Sequence, residues 1–259
     1  MNVLDRFRLD DKHLLITGGS RGLGREMALA LAQAGADVSL VGRDPDSLEA
    51  TANAIRECGR RATTIAADVG QPEQCEAACL QALESGPVDI LINNVGGRRI
   101  DTPTHKLPTA EWQKIIDLNL TSTFVCSRVI GADMIRRDRG GRVINVASIS
   151  GLVANRGIGG RSYETAKAAV IQFTRATAVD WAPHRITVNA ICPGGFMTEP
   201  NQKWARENPA VISAFREQIP AGDFGQPEDL GPLAVYLASD ASRYMTGASL
   251  VIDGGYTLI

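Results

Sequence analysis

Apolar runs typical of β-strands alternate with amphipathic stretches typical of helices along the whole chain. The strand-like runs are apolar on both faces, as in Ile90-Leu91-Ile92, which is what a sheet covered on both sides requires. Because each strand leads into a helix, right-handed βαβ crossovers are expected. The pattern predicts an α/β fold with a parallel sheet of seven strands, at residues 13–17, 37–41, 62–66, 88–92, 142–147, 185–191 and 249–252, and with helices on both faces at 23–34, 47–58, 72–83, 110–136, 163–182 and 227–238.

The chain is expected to form one domain. Its 259 residues are within the usual range of a single α/β domain, and no repeat, low-complexity segment or Pro/Ser linker divides it. The long irregular pieces are 148–162 and 192–225, and long loops inside a compact domain are usually functional. We therefore predict a single catalytic domain over residues 1–259, with a mobile lid at about 196–222.

Charge and hydropathy exclude several kinds of partner. Lys and Arg number 27 and Asp and Glu 29, a net charge of −2, whereas nucleic-acid binding calls for a basic excess or stripe. The longest charge-free runs, 143–155 and 186–198, have 13 residues each, against about 20 for a membrane-spanning helix. The first residues form no apolar signal core. No nucleic acid, no membrane and a cytoplasmic location are therefore expected.

The cysteines are expected to be free thiols, because five is an odd number and a chain of this length needs no disulfide framework. Cys75 and Cys79 are four residues apart and could share a helix face. No further pair of Cys or His residues completes a zinc site with them. We therefore predict no metal.

A glycine-rich loop connects the first predicted strand and helix, reading Thr-Gly-Gly-Ser-Arg-Gly-Leu-Gly at 17–24. Gly18, Gly22 and Gly24 allow a tight turn, close approach of the backbone to a pyrophosphate, and close helix–strand packing. The helix N-terminus offers N–H groups and a partial positive charge to the phosphates. In this strand–turn–helix context the motif predicts dinucleotide binding, by Gly18, Ser20, Arg21, Gly22, Leu23 and Gly24.

The end of the second strand indicates which dinucleotide binds. An acidic residue usually holds the ribose hydroxyls of NAD there, but this chain reads Val41-Gly42-Arg43. Arg43 and Arg21 would place two cations beside a 2′-phosphate. NADP(H) is therefore favoured. NAD(H) stays an alternative, because Asp44 could repel a phosphate or bind a ribose.

Tyr163 and Lys167 are four residues apart at the start of a predicted helix, so their side chains share one face. A phenol with a pKa near 10 is a poor base at pH 7, but a nearby ammonium favours the phenolate. Lowering that pKa to about 7 takes roughly 4 kcal/mol of preferential stabilisation. A lysine, a cofactor cation and a low dielectric could supply it together, so the pair is a candidate for proton transfer.

The chain resembles the short-chain dehydrogenase/reductase family from about Leu9 to Ile259. The motifs that carry the resemblance are Thr17-Gly18-x-x-x-Gly22-x-Gly24, Asp68-Val69, Asn93-Asn94-Val95-Gly96, Asn119, Ser148, Tyr163-x-x-x-Lys167 and Pro193-Gly194-x-x-x-Thr198. The family usually has Ala where Val95 stands. The resemblance implies a single doubly wound Rossmann-type domain, an oxidoreductase acting on CH–OH groups with a nicotinamide cofactor, and a homotetramer formed through the two long helices and the C-terminal helix and strand.

The resemblance also implies roles for single residues. Tyr163 would be the acid in carbonyl reduction and the base in alcohol oxidation, and Lys167 would also bind the nicotinamide ribose. Ser148, with Ser150 as a competitor, would hydrogen-bond the substrate oxygen, and Asn119 would hold a water of the proton relay. The remaining cofactor contacts implied are Asp68 and Val69 at the adenine, Asn93 and Gly96 at the ribose, and Pro193, Gly194 and Thr198 near the nicotinamide.

Loop arginines suggest an acidic substrate. Ser148 and Tyr163 are 15 residues apart, a longer spacing than in many family members, and a Gly-rich loop absorbs such an insertion cheaply. One or two arginines at the pocket mouth could bind a carboxylate bidentately; the candidates are Arg98, Arg99, Arg156 and Arg161. The stretches 111–114 and 180–182 resemble the gluconate 5-dehydrogenase branch. A sugar acid or polyol is therefore the favoured substrate.

Two other functions stay open. The first is a 3-oxoacyl-carrier-protein reductase, whose rim arginines would fall on Ala132 and Val179, although Arg128, Arg136, Arg137 and Arg175 lie nearby. The second is a non-catalytic NADP-binding regulator. Degenerate members of that kind normally lose the Tyr or the Lys, whereas this chain keeps Tyr163 and Lys167.

Overall fold

The computed structural model describes residues 2–97, 100–155 and 160–259, excepting the side chains of Pro200 and Trp204. The strands are β1 (His13–Thr17), β2 (Asp37–Gly42), β3 (Ala62–Ala66), β4 (Ile90–Asn93), β5 (Gly141–Val146), β6 (Ile186–Pro193) and β7 (Ser249–Ile252). The helices are α1 (Gly22–Gln33), α2 (Pro45–Glu57), α3 (Pro72–Glu84), α4 (Thr109–Ile116), α5 (Ser122–Arg137), α6 (Arg161–Trp181), α7 (Glu199–Glu207), α8 (Pro209–Arg216) and α9 (Leu230–Ala238).

All neighbouring strands pair in parallel, in the order β3-β2-β1-β4-β5-β6-β7. In the centre, Ile16 of β1 pairs with Leu40 of β2 and with Ile92 of β4. The strand order reverses between β1 and β4, and ligands of open α/β sheets bind outside the carboxyl ends of the strands at such a switch point. The predicted doubly wound fold with seven parallel strands is confirmed.

The strands are apolar on both faces because helices cover both. Successive side chains of a strand point to opposite faces. Leu14 and Ile16 of β1 pack in one cluster with residues of α1 and α9, and Leu15 packs in a second cluster with residues of α3 and α5. All three side chains are fully buried. This double coverage makes the sheet a rigid platform for the loops at its carboxyl edge.

Two predicted segments differ from the structure. The helix expected over 110–136 is interrupted by a π-helical turn, Asp117–Thr121, between α4 and α5. Such turns often occur at functional sites, and no proline or glycine marks this one in the sequence. Residues 192–225, expected to be irregular, contain α7 and α8. The largely polar sequence of α7 offers little hydrophobic periodicity from which to predict a helix.

By length and composition, the segment Thr109–Arg137 is long and apolar enough to cross a membrane. The short charge-free runs in the sequence did not predict such a segment. Half of its most apolar stretch is buried inside the protein, and α5 contributes to the core cluster that also contains α3. A helix that belongs to a protein core passes the same criteria, so the segment is weak support for a membrane span.

Candidate active site

A cleft of about 1360 Å³ opens at the carboxyl ends of the central strands, where the strand order reverses. It brings together most of the residues singled out in the sequence. The predicted residues that line it are Gly18, Ser20, Arg21, Gly22, Leu23, Gly24, Arg43, Asp68, Val69, Gly96, Ser148, Tyr163, Lys167, Pro193, Gly194 and Thr198. Among the described residues, the predicted Asn93, Asn119 and Arg161 lie outside the lining.

The loop between β1 and α1 presents bare backbone to the cleft. Gly18 and Gly22 have positive φ angles of 68° and 56°, which side chains other than glycine rarely adopt. A Cβ on Gly24 would collide with the carbonyl of Gly18, so this loop closes only with glycine there. No described side chain caps the N-terminus of α1. Its N–H groups and positive end therefore suit an anion.

Arg21 and Arg43 lie at the cleft with exposed side chains. Asp44 is occupied with capping α2, because its carboxylate accepts from the Ser47 hydroxyl at 2.6 Å and from the Asp46 N–H at 3.2 Å. The hydrogen bond from Ser47, with a smaller contribution from the charge of Arg21, lowers the pKa of Asp44. Asp44 was the reason for keeping NAD(H) as an alternative cofactor, and its carboxylate is thus engaged in capping a helix.

Tyr163 and Lys167 face the cleft from the first turns of α6. The Lys167 Nζ lies 5.9 Å from the centre of the Tyr163 ring and donates to the carbonyl oxygen of Val146 at 2.7 Å. Lys167 is only 2% exposed, and this burial lowers its pKa to about 8. Burial also raises the pKa of the adjacent Cys192 thiol to about 11. The cluster is therefore a buried cation beside a half-buried phenol and a neutral thiol.

Of the two competing serines, Ser148 lines the cleft and Ser150 does not. The Ser148 Oγ accepts from the Ser150 N–H at 3.1 Å and begins the short 3₁₀ turn Ile149–Gly151. The Ser150 Oγ instead accepts from the Asn155 side-chain amide at 3.0 Å. The two serines that the sequence left in competition are thus directed to different partners.

Asn119 lies behind the cleft in the π turn and is fully buried. Its Nδ2 donates to the Ile115 carbonyl at 2.9 Å, and its Oδ1 accepts from the Gly97 N–H at 2.8 Å. A Cβ on Gly96 would lie only 2.6 Å from the Lys167 Nζ. Asn119 thus holds the loop after β4 against the lysine, where glycine alone leaves room.

Asn93 and Asn94 hold the strand ends around the cleft. Asn93 is buried, and its Nδ2 donates to the Asn145 side chain at 2.8 Å and to the Ser127 hydroxyl at 3.0 Å. Asn94 lines the cleft and donates from Nδ2 to the Thr17 carbonyl at 3.0 Å. Asn94 was part of a sequence motif, but its connection between β4 and the glycine loop was not foreseen.

Of the four predicted substrate arginines, the structure describes Arg161. Arg161 pairs with Glu164 at 2.7 Å, and its side chain is 46% exposed. Arg98, Arg99 and Arg156 lie outside the described residues, so their contact with a substrate stays a prediction.

Three cysteines form a cluster in the core, of which the sequence indicated only the pair Cys75 and Cys79. Cys126 of α5 joins Cys75 and Cys79 of α3, with all three sulfurs within 4.8 Å of one another. Hydrogen bonds from the Cys126 and Cys79 thiols lower the pKa of Cys75. Structural zinc takes four ligands, and this group supplies three among the described residues. The spacing of 47 residues between Cys79 and Cys126 gave no signal of the contact.

Comparison with known proteins finds a matching family model and several relatives that are named as oxidoreductases or dehydrogenases. Residues 18–257 match the family model described as enoyl-(acyl carrier protein) reductase. An uncharacterized oxidoreductase from Mycobacterium tuberculosis is 41% identical, covering 98% of this chain and 95% of that protein. Galactitol 2-dehydrogenase (L-tagatose-forming) from Cereibacter sphaeroides is 37% identical, with 97% of both chains covered. The 2-dehydro-3-deoxy-D-gluconate 5-dehydrogenase of Dickeya dadantii is also 37% identical, with 98% of both covered.

Solved structures of similar proteins have the same fold over the whole chain. A short-chain type dehydrogenase/reductase from Mycobacterium marinum superposes with a TM-score of 0.91 at 39% identity, over the whole of both chains. A gluconate 5-dehydrogenase from Burkholderia cenocepacia, in complex with NADP and tartrate, superposes with a TM-score of 0.90 at 33% identity, also over the whole of both chains. Fold, site motifs and relatives coincide over nearly the full length, and the chain therefore belongs to the short-chain dehydrogenase/reductase family of oxidoreductases.

Proposed function

We propose that this protein transfers a hydride between NADP(H) and the carbonyl or secondary alcohol of a sugar acid or polyol. The observation that carries the proposal is the placement of Tyr163 and Lys167 in the same cleft as the glycine loop. Residues 1–259 then act as one catalytic domain, with a lid at about 196–222. Relatives named for galactitol and gluconate derivatives support the substrate class.

The residues present fit the cofactor. The backbone at Gly18, Gly22 and Gly24 leaves a cradle that a Cβ would fill or distort, and the N-terminus of α1 receives the pyrophosphate. Arg21 and Arg43 hold the 2′-phosphate, as two guanidinium groups suit a doubly charged anion. The other residues proposed to hold the cofactor are Ser20, Leu23, Asp68, Val69, Asn93, Gly96, Pro193, Gly194 and Thr198. When bound, the nicotinamide supplies or accepts the hydride.

Tyr163 transfers the proton at the substrate oxygen in this proposal, and Ser148 donates a hydrogen bond to the same oxygen. Lys167 is protonated for the most part at pH 7, because its pKa of about 8 lies above that pH. Its ammonium stabilises the phenolate form of Tyr163 and binds the nicotinamide ribose. Asn119 keeps the loop at Gly97 in place and holds a water through which the proton exchanges with solvent.

A carrier-protein substrate is less well supported, although the matching family model is named for such an enzyme. Ala132 and Val179 stand where a carrier-protein reductase would have rim arginines. Of the nearby arginines that could act in their place, Arg128 pairs with Glu76 at 2.7 Å. Arg136 and Arg137 both pair with Asp133. Three of the four arginines are thus already engaged with carboxylates of the same chain, and the fourth, Arg175, is exposed.

A spectrophotometric panel at 340 nm, run with NADP(H) and NAD(H), tests the proposed function. Sugar acids and polyols are set against short oxo esters and acyl-thioester mimics. We expect turnover of the sugar acids or polyols with NADP(H). Turnover restricted to oxo esters or thioesters would assign the acyl reductase instead. No turnover with the cofactor still bound would favour a regulator.

The same family resemblance leads us to propose a cytoplasmic homotetramer. Phe124 of α5 and Val179 of α6 are 47% and 75% exposed, and the terminal Leu258 and Ile259 are also largely exposed. Apolar side chains of this kind on both long helices suit burial against a second copy. Light scattering coupled to size exclusion is expected to give four times the mass of the 27.6 kDa chain; a monomer would contradict this.

Replacing Arg43 by Asp is expected to reverse the cofactor preference. The change removes a charge-assisted hydrogen bond to the 2′-phosphate and adds repulsion, each worth about 1.5–3 kcal/mol. The ratio of kcat/KM for NADP(H) over NAD(H) should therefore fall by about 100-fold or more. The matched control is Arg139→Asp, an exposed arginine just before the amino end of β5 and hence at the opposite edge of the sheet. An unchanged ratio in Arg43→Asp would remove this residue from the phosphate site.

A further inference from the structure

A buried carboxylate joins the two sides of the substrate pocket. Glu164 follows Tyr163 in α6 and is 8% exposed. Its Oε1 accepts from both the backbone N–H and the side-chain amide of Asn155, each at 3.1 Å, and its Oε2 accepts from Arg161 at 2.7 Å. Burial would raise the pKa of Glu164, but the hydrogen bonds from Arg161 and Asn155 together hold it below its usual range. Glu164 is thus an ionised acceptor bound to both flanks of residues 156–159. These contacts of Glu164 are called the clasp below.

The clasp reaches the serine side of the cleft. The Asn155 Nδ2 also donates to the Ser150 Oγ at 3.0 Å, and the Ser150 N–H donates to the Ser148 Oγ at 3.1 Å. A continuous path of hydrogen bonds therefore runs from Ser148, through Ser150 and Asn155, to the residue beside Tyr163. It connects the two segments that carry the groups proposed to share the substrate oxygen.

Tyr256 connects the clasp to the lid. Its hydroxyl lies 3.4 Å from the Asn155 Oδ1 and 3.2 Å from the Gln218 Oε1, and its ring stacks on Phe215 of α8 with a centroid distance of 4.8 Å. Phe215 in turn packs on Gly195, where a Cβ would lie 2.7 Å from its ring. A residue near the C-terminus thus contacts both the clasp and the α8 end of the lid.

We propose that Glu164 and Tyr256 are positioning residues for the substrate: Glu164 holds the Ser148 segment against α6, and Tyr256 couples that segment to the lid. The proposal rests on the proposed function for its kinetic readout. Neither side chain lines the cleft, so both act through their neighbours. They fix the substrate half of the site and leave the cofactor half unchanged.

The first test compares Glu164→Ala with Glu164→Gln. The alanine removes the acceptor of the buried Asn155 backbone N–H and one of the two acceptors of its side-chain amide, whereas glutamine keeps an oxygen in place. In Glu164→Ala we expect the Asn155 segment to shift and regain acceptors in the free enzyme. Substrate binding must then restore the segment at a cost of about 1–3 kcal/mol, so KM should rise about tenfold. We expect Glu164→Gln to restore KM to within about threefold of the wild type, with kcat and the cofactor Kd nearly constant in both. A KM in Glu164→Ala unchanged within twofold, or Gln as impaired as Ala, would overturn the role of Glu164.

The second test uses Tyr256→Phe, which removes the hydroxyl and keeps the stacked ring. We expect a rise in substrate KM of about threefold, with the exposed Tyr244→Phe as the matched control. Hydrogen exchange should also speed up in peptides covering 150–155 and 213–218 and stay constant in β1. This readout needs no turnover, so unchanged exchange would reject the coupling even if the wild type turned over no substrate in the panel. A wild type silent in the panel would instead count against the proposed function. Faster exchange with an unchanged KM would reject the positioning role.

Discussion

Tyr163→Phe is expected to lower kcat by about 10²- to 10⁴-fold, the range that a general acid or base contributes. Phenylalanine keeps the ring that lies near Lys167 and removes only the hydroxyl that would exchange a proton with the substrate oxygen. The glycine loop and both arginines are untouched, so the Kd for NADP(H) should stay within about twofold. Stopped-flow or steady-state turnover at 340 nm, with a separate titration of cofactor binding, measures both quantities.

Tyr236→Phe is the matched control for this experiment. Tyr236 lies in α9, where its ring packs near that of Phe7, and it does not line the cleft. Its turnover should match that of the wild type. Retained turnover in Tyr163→Phe would remove this residue from proton transfer and with it the proposed mechanism.

Lys167→Met is expected to reduce kcat by at least about 100-fold and at the same time to stabilise the folded protein at pH 7. Burial lowers the pKa of Lys167 to about 8 from 10.5, so folding disfavours the charged form. This difference between the pKa of Lys167 in the folded protein and its ordinary value corresponds to a loss of about 3 kcal/mol in the free energy of unfolding below pH 8. Methionine removes this cost and loses the hydrogen bond to Val146, which leaves a net gain of about 1–2 kcal/mol.

The sign of the pH dependence provides the check. Between pH 8 and 10.5 the unfolded state holds the lysine proton that the folded state has lost, so the free energy of unfolding of the wild type rises with pH in this window. The variant lacks this rise. Urea denaturation at pH 7 and pH 10 should show the stability advantage of Lys167→Met at pH 7 and little of it at pH 10. If Lys167→Met were less stable than the wild type at pH 7, and its free energy of unfolding changed with pH as in the wild type, the claim that the buried charge of Lys167 destabilises the fold would be wrong.

Local patterns in the sequence were enough to predict the fold class, the sheet and the centre of the site. Apolar runs such as Ile90-Leu91-Ile92 predict buried strands wherever they occur, and β4 begins at Ile90. The glycine loop and the Tyr163–Lys167 pair are each contained in a few consecutive residues, whose geometry follows from one turn or one helix face. Once the sheet is known to be parallel, its carboxyl edge is where such motifs meet.

The remaining features depend on contacts between distant residues. Asn119 of the π turn meets Gly97, which is 22 residues away, and Cys126 meets Cys75 only because α3 and α5 pack side by side. The clasp of Glu164 on Asn155, and the contact of Tyr256 with a residue 101 positions away, likewise have no local signature. Sequence by itself determined the strands, the glycine loop and the pairing of Tyr163 with Lys167 on one helix face, because short-range sterics and hydrophobic burial dictate them. Only the tertiary structure decided which buried polar groups satisfy one another, because a hydrogen bond acts over a few ångströms and depends on the packing of the whole chain.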